Sequence, residues 1–220
     1  MSAQRVFVAG AGLMGHGIAQ VMAATGKHVY LYEPDVARAT AGRDRIAGNL
    51  ERAVAKGKLE AGARDSTLRR IEPTADAARV ADADLVVEAV FEDLEVKSGL
   101  WRDLDRRAPR KAIFATNTSS ISIDRLAEAV SADRRALFVG MHFFSPVPVM
   151  PLVELIRGSA TSDETEAAVR GLAAEMGKQV IVSADRAGFI VNRILMPFLA
   201  EGMRALEEGV GTADDIDTGA

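Results

Sequence analysis

Hydrophobic residues in this chain gather into short runs, separated by longer stretches with helical spacing. The runs "RVFVA" (5–9), "HVYLY" (28–32), "DLVVE" (84–88), "AIFAT" (112–116), "LFVGM" (137–141) and "QVIVS" (179–183) read as strands. Most are continuous rather than alternating, as expected of strands covered by helices on both faces. Between them, segments such as "LMGHGIAQVMAAT" and "SDETEAAVRGLAAEM" repeat apolar residues at helical intervals, and Gly26 and Gly177 stand where helix stops belong. The repeated β–α–β order predicts an α/β fold built on a doubly wound, mostly parallel sheet of Rossmann type.

The pattern changes after "KQVIVSAD". Residues 188–208, "GFIVNRILMPFLAEGMRALEE", read as one long helix with apolar residues on several faces and a kink at Pro197. "GVGTADDIDTGA" reads as a turn and a further helix capped by Thr212. The division expected is a dinucleotide-binding domain over 1–185 and the beginning of a helical domain over 186–220.

Composition narrows the chemistry. The chain has 220 residues, 48% hydrophobic and 26% charged, enough to bury a real core. It has no cysteine, which removes disulfides, thiolate nucleophiles and cysteine-ligated metals. Three histidines, His16, His28 and His142, lack metal-ligand spacing, so no metal is expected. A net charge of −4 gives no general affinity for nucleic acid. No apolar run approaches the ~18–20 residues that span a bilayer. The strand pattern begins almost at once, leaving no room for a signal peptide, so a cytoplasmic protein is the expectation.

"VFVAGAGLMGHGIAQ" carries Gly10-x-Gly12-x-x-Gly15 between a strand and a helix, and Glu33 ends the next strand. In that setting the glycines permit a tight turn, close approach of a pyrophosphate, and close packing of helix on sheet. Leu13, Met14 and Gly15 open the helix whose free N–H groups would face the phosphates. Glu33 would accept from the adenosine ribose and repel a 2′-phosphate, favouring NAD over NADP. A structural glycine turn with an exposed Glu is the alternative. His16, at the helix start, is expected to be a neutral spectator.

A second group of residues follows two later strands. "FATNTSS" places Asn117, Thr118, Ser119 and Ser120 after one strand, and "LFVGMH" delivers His142 at the end of another. Ligands of open α/β sheets sit at such carboxyl ends. Oxidising a secondary alcohol requires a base for the hydroxyl proton, and an imidazole with an ordinary pKa of ~6.5 suits that task. Glu154 would orient the ring if the Pro-rich loop folds "PLVEL" back beside it. The plainer alternatives are a core histidine with a satisfied hydrogen bond and serines that cap a helix, the role expected of Ser122. Glu88 reads as a strand-end acid bound to backbone or a loop. Glu92 and Lys97, read alone, form an exposed charged pair. Trp101, Met141, Met150 and Met196 read as core or pocket lining.

The stretches "GAGLMGHGIAQ", "LVVEAVFEDLEVK", "ATNTSS", "MHFFSPVPVMPLVELIRG", "GFIVNRIL" and "EEGVGTADDID" occur in this order over essentially the whole chain. Together they resemble the short-chain L-3-hydroxyacyl-CoA dehydrogenases, including 3-hydroxybutyryl-CoA dehydrogenases. The resemblance implies a homodimeric enzyme that reversibly oxidises an L-3-hydroxyacyl-CoA to the 3-ketoacyl-CoA with NAD. It assigns His142 as catalytic base, Glu154 as its carboxylate partner, and Ser119 and Asn192 as residues that hydrogen-bond the substrate. It makes Glu92 and Lys97 cofactor contacts, together with Gly10, Gly12, Leu13, Met14, Gly15, Glu33, Ser119 and Ser145.

Residues 38–58 carry six basic side chains against Asp44 and Glu51, and Lys56 matches a CoA contact of the family. A solvated helix face accounts for most of that charge. Ser145 stands where the family commonly has Asn, a shorter hydroxyl near the nicotinamide end of the site. Family members also continue for several helices past "DIDT". A chain ending at Ala220 is therefore expected to bind NADH, to turn over acyl-CoA poorly, and to expose apolar surface along 189–206. A non-catalytic NAD-binding or structural protein reusing the fold is the rival reading.

Overall fold

A computed structural model describes residues 3–220. Eight strands form one sheet in the order β3-β2-β1-β4-β5-β6-β7-β8. They are β1 Arg5–Ala9, β2 His28–Tyr32, β3 Ile71–Thr74, β4 Leu85–Glu88, β5 Ile113–Thr116, β6 Phe138–Phe143, β7 Leu152–Arg157 and β8 Gln179–Ala184. The first six run parallel; β7 pairs antiparallel with β6, and β8 parallel with β7. The expected doubly wound sheet is present, with its last two strands reversed.

Helices α1 (Leu13–Ala24), α2 (Val36–Ala55), α3 (Ala61–Arg69) and α6 (Asp163–Glu175) pack on one side, and α4 (Leu94–Arg107) and α5 (Ile123–Ala127) on the other. Strand alternation feeds the two cores separately. Val6 and Val8 join Ile18, Met22 and Ile46, whereas Phe7 and Ala9 join Trp101, Leu104 and Phe114. Every β1 position after Arg5 is therefore buried, which is why its sequence is a continuous apolar run. Trp101 is fully buried, stacked 4.8 Å from Phe114 and edge-on to Phe138 at 5.0 Å. Met141 is core as expected, Met150 is partly buried, and Met196 is exposed instead.

Two strands lay outside the expected set. β3, "IEPT", has four residues and contains Pro73, which an edge strand tolerates because one side needs no partner. β7, "LVELIR", follows three prolines and has a glutamate in its middle, so it reads as loop. Helix stops fall as expected, with Gly26 and Gly177 in left-handed conformation just past α1 and α6. The long C-terminal helix α7 starts later than expected, at Val191, and runs unbroken through Pro197 to Glu207; α8 (Ala213–Gly219) is capped by Thr212. No residue of α7 is buried: Ile194, Met196, Phe198, Met203 and Leu206 are all exposed. Phe189, within the stretch expected to be exposed, is buried. No helix among the described residues is long and apolar enough to cross a membrane.

The turn from β1 into α1 is held by glycine sterics. A Cβ at Gly15 would fall 1.8 Å from the Gly10 carbonyl oxygen, and Gly10 itself has φ +102°. Gly15→Ala must therefore push the helix away from the turn, at about 1–3 kcal/mol as for other overpacking changes. Urea unfolding should show that loss, whereas Gly12→Ala, with nothing within 4 Å of the added carbon, should unfold like the parent.

Candidate active site

The carboxyl ends of β1, β4, β5 and β6 open on one cleft of about 390 Å3, lined by residues including Met14, Glu92, Lys97, Asn117, Ser119, His142, Ser145 and Asn192. On one side the cleft reaches Met14, in the helix that follows the glycine turn. Gly12 caps α1 without any side-chain acceptor, and space beside it is open, so first-turn N–H groups face a cradle free of side chains. Glu33 is buried and accepts the Ala11 N–H through Oε1 at 2.8 Å. Its other oxygen lies 3.9 Å from Nε of the exposed Arg38. This arrangement fits a dinucleotide: a bare helix N-terminus for phosphates and an oriented carboxylate for a ribose. His16 keeps a local role, its Nδ1 2.7 Å from the Gly12 carbonyl.

At the other end, His142 and Glu154 face each other across the antiparallel pair of β6 and β7. Nδ1 of His142 lies 3.2 Å from Glu154 Oε2, with the carboxylate fully buried and the imidazole nearly so. Ionised Glu154 can only accept, so Nδ1 carries the proton and Nε2 is the basic nitrogen. Glu154 therefore reaches the histidine from a strand, and the expected Pro-rich return loop (144–151) only connects the two strands. That loop is tied down by Lys178, whose Nζ donates to the carbonyls of Val147 and Met150 at 2.5 and 2.7 Å. Burial lowers the Lys178 pKa. Ser145 lies on the loop's exposed start, before a cis Pro146.

Between the two ends runs a chain of polar contacts. Glu88 and Lys97 are almost wholly buried and pair at 2.5 Å; Glu88 also accepts from the Thr116 hydroxyl at 2.7 Å and the Val90 N–H at 2.9 Å. Lys97 reaches Glu92 at 3.1 Å. Glu92 in turn accepts from the Thr118 hydroxyl, the Ser119 N–H at 2.9 Å and the Ser120 hydroxyl at 3.0 Å. The pair read from sequence as exposed is thus a buried lysine between two carboxylates. Helical spacing carried the signal: Lys97, Trp101 and Leu104 share the buried face of α4. Glu88, read as a strand-end acid, is the counter-charge that this lysine needs.

Asn192, in the first turn of α7, donates from Nδ2 to the Ser119 carbonyl at 3.4 Å. Ser122 caps α5 as expected, and its hydroxyl also donates to Asp185 at 2.6 Å. Asp185 and Thr116 escaped the sequence reading as site residues, because each acts through contacts distant in sequence; Thr118, one of the polar groups expected after β5, is the hydroxyl that donates to Glu92. Lys56 sits exposed at the end of α2 and does not line the cleft.

The fold and its glycine turn are those of a dinucleotide-binding protein. A family profile described as "3-hydroxyacyl-CoA dehydrogenase, NAD binding domain" matches residues 5–186, and its "C-terminal domain" counterpart matches 188–220. The chain belongs to the 3-hydroxyacyl-CoA dehydrogenase family. It is 46% identical to a 3-hydroxybutyryl-CoA dehydrogenase of Mycobacterium tuberculosis over 97% of this chain and 75% of that one. It is 44% identical to the human mitochondrial hydroxyacyl-coenzyme A dehydrogenase, over 98% and 70%. The crystal structure of the (S)-3-hydroxybutyryl-CoA dehydrogenase of Ralstonia eutropha superposes with a TM-score of 0.94 at 40% identity, covering 97% of this chain and 75% of that chain.

Glu92 supplies a pH test. Burial pushes its carboxyl up, but the Thr118 hydroxyl, the Lys97 charge and the Ser119 N–H outweigh that and hold it at about 2, below its ordinary 4.5. A folded pKa below the unfolded one stabilises the protein above the unfolded value, and that stability is lost as pH falls through the folded value. In urea titrations, Glu92→Gln should be less stable than the parent above pH 4.5, and the gap should close as pH approaches 2.

Proposed function

We propose that this chain catalyses the reversible NAD-dependent oxidation of an L-3-hydroxyacyl-CoA to the 3-ketoacyl-CoA, with short acyl chains such as 3-hydroxybutyryl-CoA as substrates. The observation that carries the reading is the buried His142–Glu154 pair, whose imidazole opens on the same cleft as Ser119, Asn192 and Met14, in the helix that follows the glycine turn. The identity to 3-hydroxybutyryl-CoA dehydrogenases supports the choice of substrate.

Gly10, Gly12, Leu13, Met14 and Gly15 would hold the cofactor's pyrophosphate, and Glu33 its adenosine ribose, with Glu92, Lys97 and Ser145 toward the nicotinamide. NAD when bound supplies the hydride acceptor. The substrate hydroxyl gives its proton to His142 Nε2, while Glu154 keeps Nδ1 protonated and stabilises the imidazolium that forms. The Ser119 hydroxyl and the Asn192 amide hold the substrate oxygen against that nitrogen. In the reductive direction the imidazolium returns the proton. Lys56, at the end of α2, is assigned to the CoA phosphates. The boundary between the two units is placed at residue 186, and the exposed apolar side chains of α7 support pairing of two copies through the helical part.

Consumption of NADH with acetoacetyl-CoA, compared with longer 3-ketoacyl-CoAs, tests the activity directly. His142→Ala should lower kcat by about 10²–10⁴-fold, the usual worth of a positioned proton carrier. Turnover insensitive to that change would leave a binding protein instead. Cofactor choice gives a separate check. Glu33→Ser should weaken NADH binding and strengthen NADPH binding, because Arg38 then meets a 2′-phosphate with no carboxylate beside it; fluorescence titration with both cofactors reads this.

A further inference from the structure

Glu154 has a second set of partners that the proton-transfer scheme does not use. Its Oε1 accepts the Ile190 N–H at 2.6 Å and the Val191 N–H at 3.4 Å, at the entry to α7. One buried carboxylate thus holds the imidazole with one oxygen and a helix start with the other. Ile190, the N-cap of α7, makes no side-chain capping bond of its own.

The residue before them is unusual. Phe189 has φ +49°, the only left-handed residue besides glycine among those described. A bulky side chain rarely adopts that conformation, and such strain persists only where surrounding structure holds it. Here the holding is visible. Phe189 is 3% exposed and packs into the core on the Trp101 side of the sheet. Its ring meets the His142 ring edge-on, with centroids 5.9 Å apart. Gly188, also left-handed, completes the turn, and its carbonyl accepts the Arg193 N–H at 2.9 Å.

We propose that Phe189 is a positioning residue for the His142–Glu154 pair. Its backbone turns the Ile190 N–H onto Glu154, and its ring closes the side of the imidazole. Burial of the ring holds the left-handed turn. Removing the ring lets the turn relax, frees Oε1, and allows the carboxylate to rotate away from Nδ1. The proposal rests on the assignment of His142 and Glu154 as base and partner, but its geometry can be read without catalysis.

The test uses the whole chain with ¹⁵N-labelled histidine. In the parent, the Nδ1–H proton of His142, identified by its loss in His142→Ala, should appear at low field and exchange slowly with water. Phe189→Ala should move it toward the ordinary imidazole position and speed its exchange. It should also lower kcat by about 10–100-fold, the scale of a 1 Å misplacement, with NADH affinity unchanged. Phe189→Tyr, which keeps the ring, should resemble the parent in both readouts. Circular dichroism and NADH binding check that each variant is folded. A parent-like proton signal in folded Phe189→Ala overturns the proposal, whatever its activity. A lost signal with unchanged turnover upholds the positioning role and removes the pair from the mechanism, and where the parent shows no turnover the proton signal alone decides.

Discussion

Two charges with almost no access to water, Glu88 and Lys97, hold the cleft side of this molecule together. Each would be costly to bury alone, and breaking such a pair typically costs about 3–5 kcal/mol because the other charge is stranded. Their 2.5 Å contact joins the end of β4 to α4, and the Thr116 hydroxyl brings in β5. Lys97 passes the constraint to Glu92, and Glu92 to the serine loop through the Ser119 N–H. The loop that carries Ser119 is thereby set by electrostatics in the sheet beneath it, independently of any ligand.

The second fixed point is Glu154. It lies in mid-strand, so its position relative to His142 comes from sheet register, and a one-residue slip would turn it to the opposite face. Across the cleft, Ser122 and Asp185 tie the start of α5 to the segment after β8. Of the polar residues of the cleft, His142 is mounted on β6, Lys97 on α4 and Asn192 on the first turn of α7, and the loops carrying Glu92, Asn117, Ser119 and Ser145 lie between them. This is how an open α/β sheet makes a rigid site from its carboxyl edge.

Much of this was legible in the sequence, and the limits have physical causes. β1 and β2 were placed to the residue because both are buried on both faces and bounded by glycine or charge. The glycine turn, Glu33, His142 and Ser119 follow from motif and strand-end position. β7 escaped because prolines and a glutamate disguise a strand whose polar residue is its purpose. Lys97 was misread because charge usually means exposure, and only its spacing with Trp101 and Leu104 reveals burial. Phe189 could not be singled out at all: its backbone conformation exists only once the core has closed around its ring.

The antiparallel pairing of β6 and β7 separates two properties that a loop-borne carboxylate would have linked. The segment from Phe144 to Pro151 joins the two strands, and Lys178 grips two of its carbonyls. Ser145, at its exposed start, lines the cleft from this loop, whereas His142 and Glu154 do so from paired strands. The contact between His142 and Glu154 is written in the sheet, and part of the cleft wall in the loop. Changes confined to that loop would reshape the cleft wall at Ser145 and leave the His142–Glu154 contact to the strands that carry it.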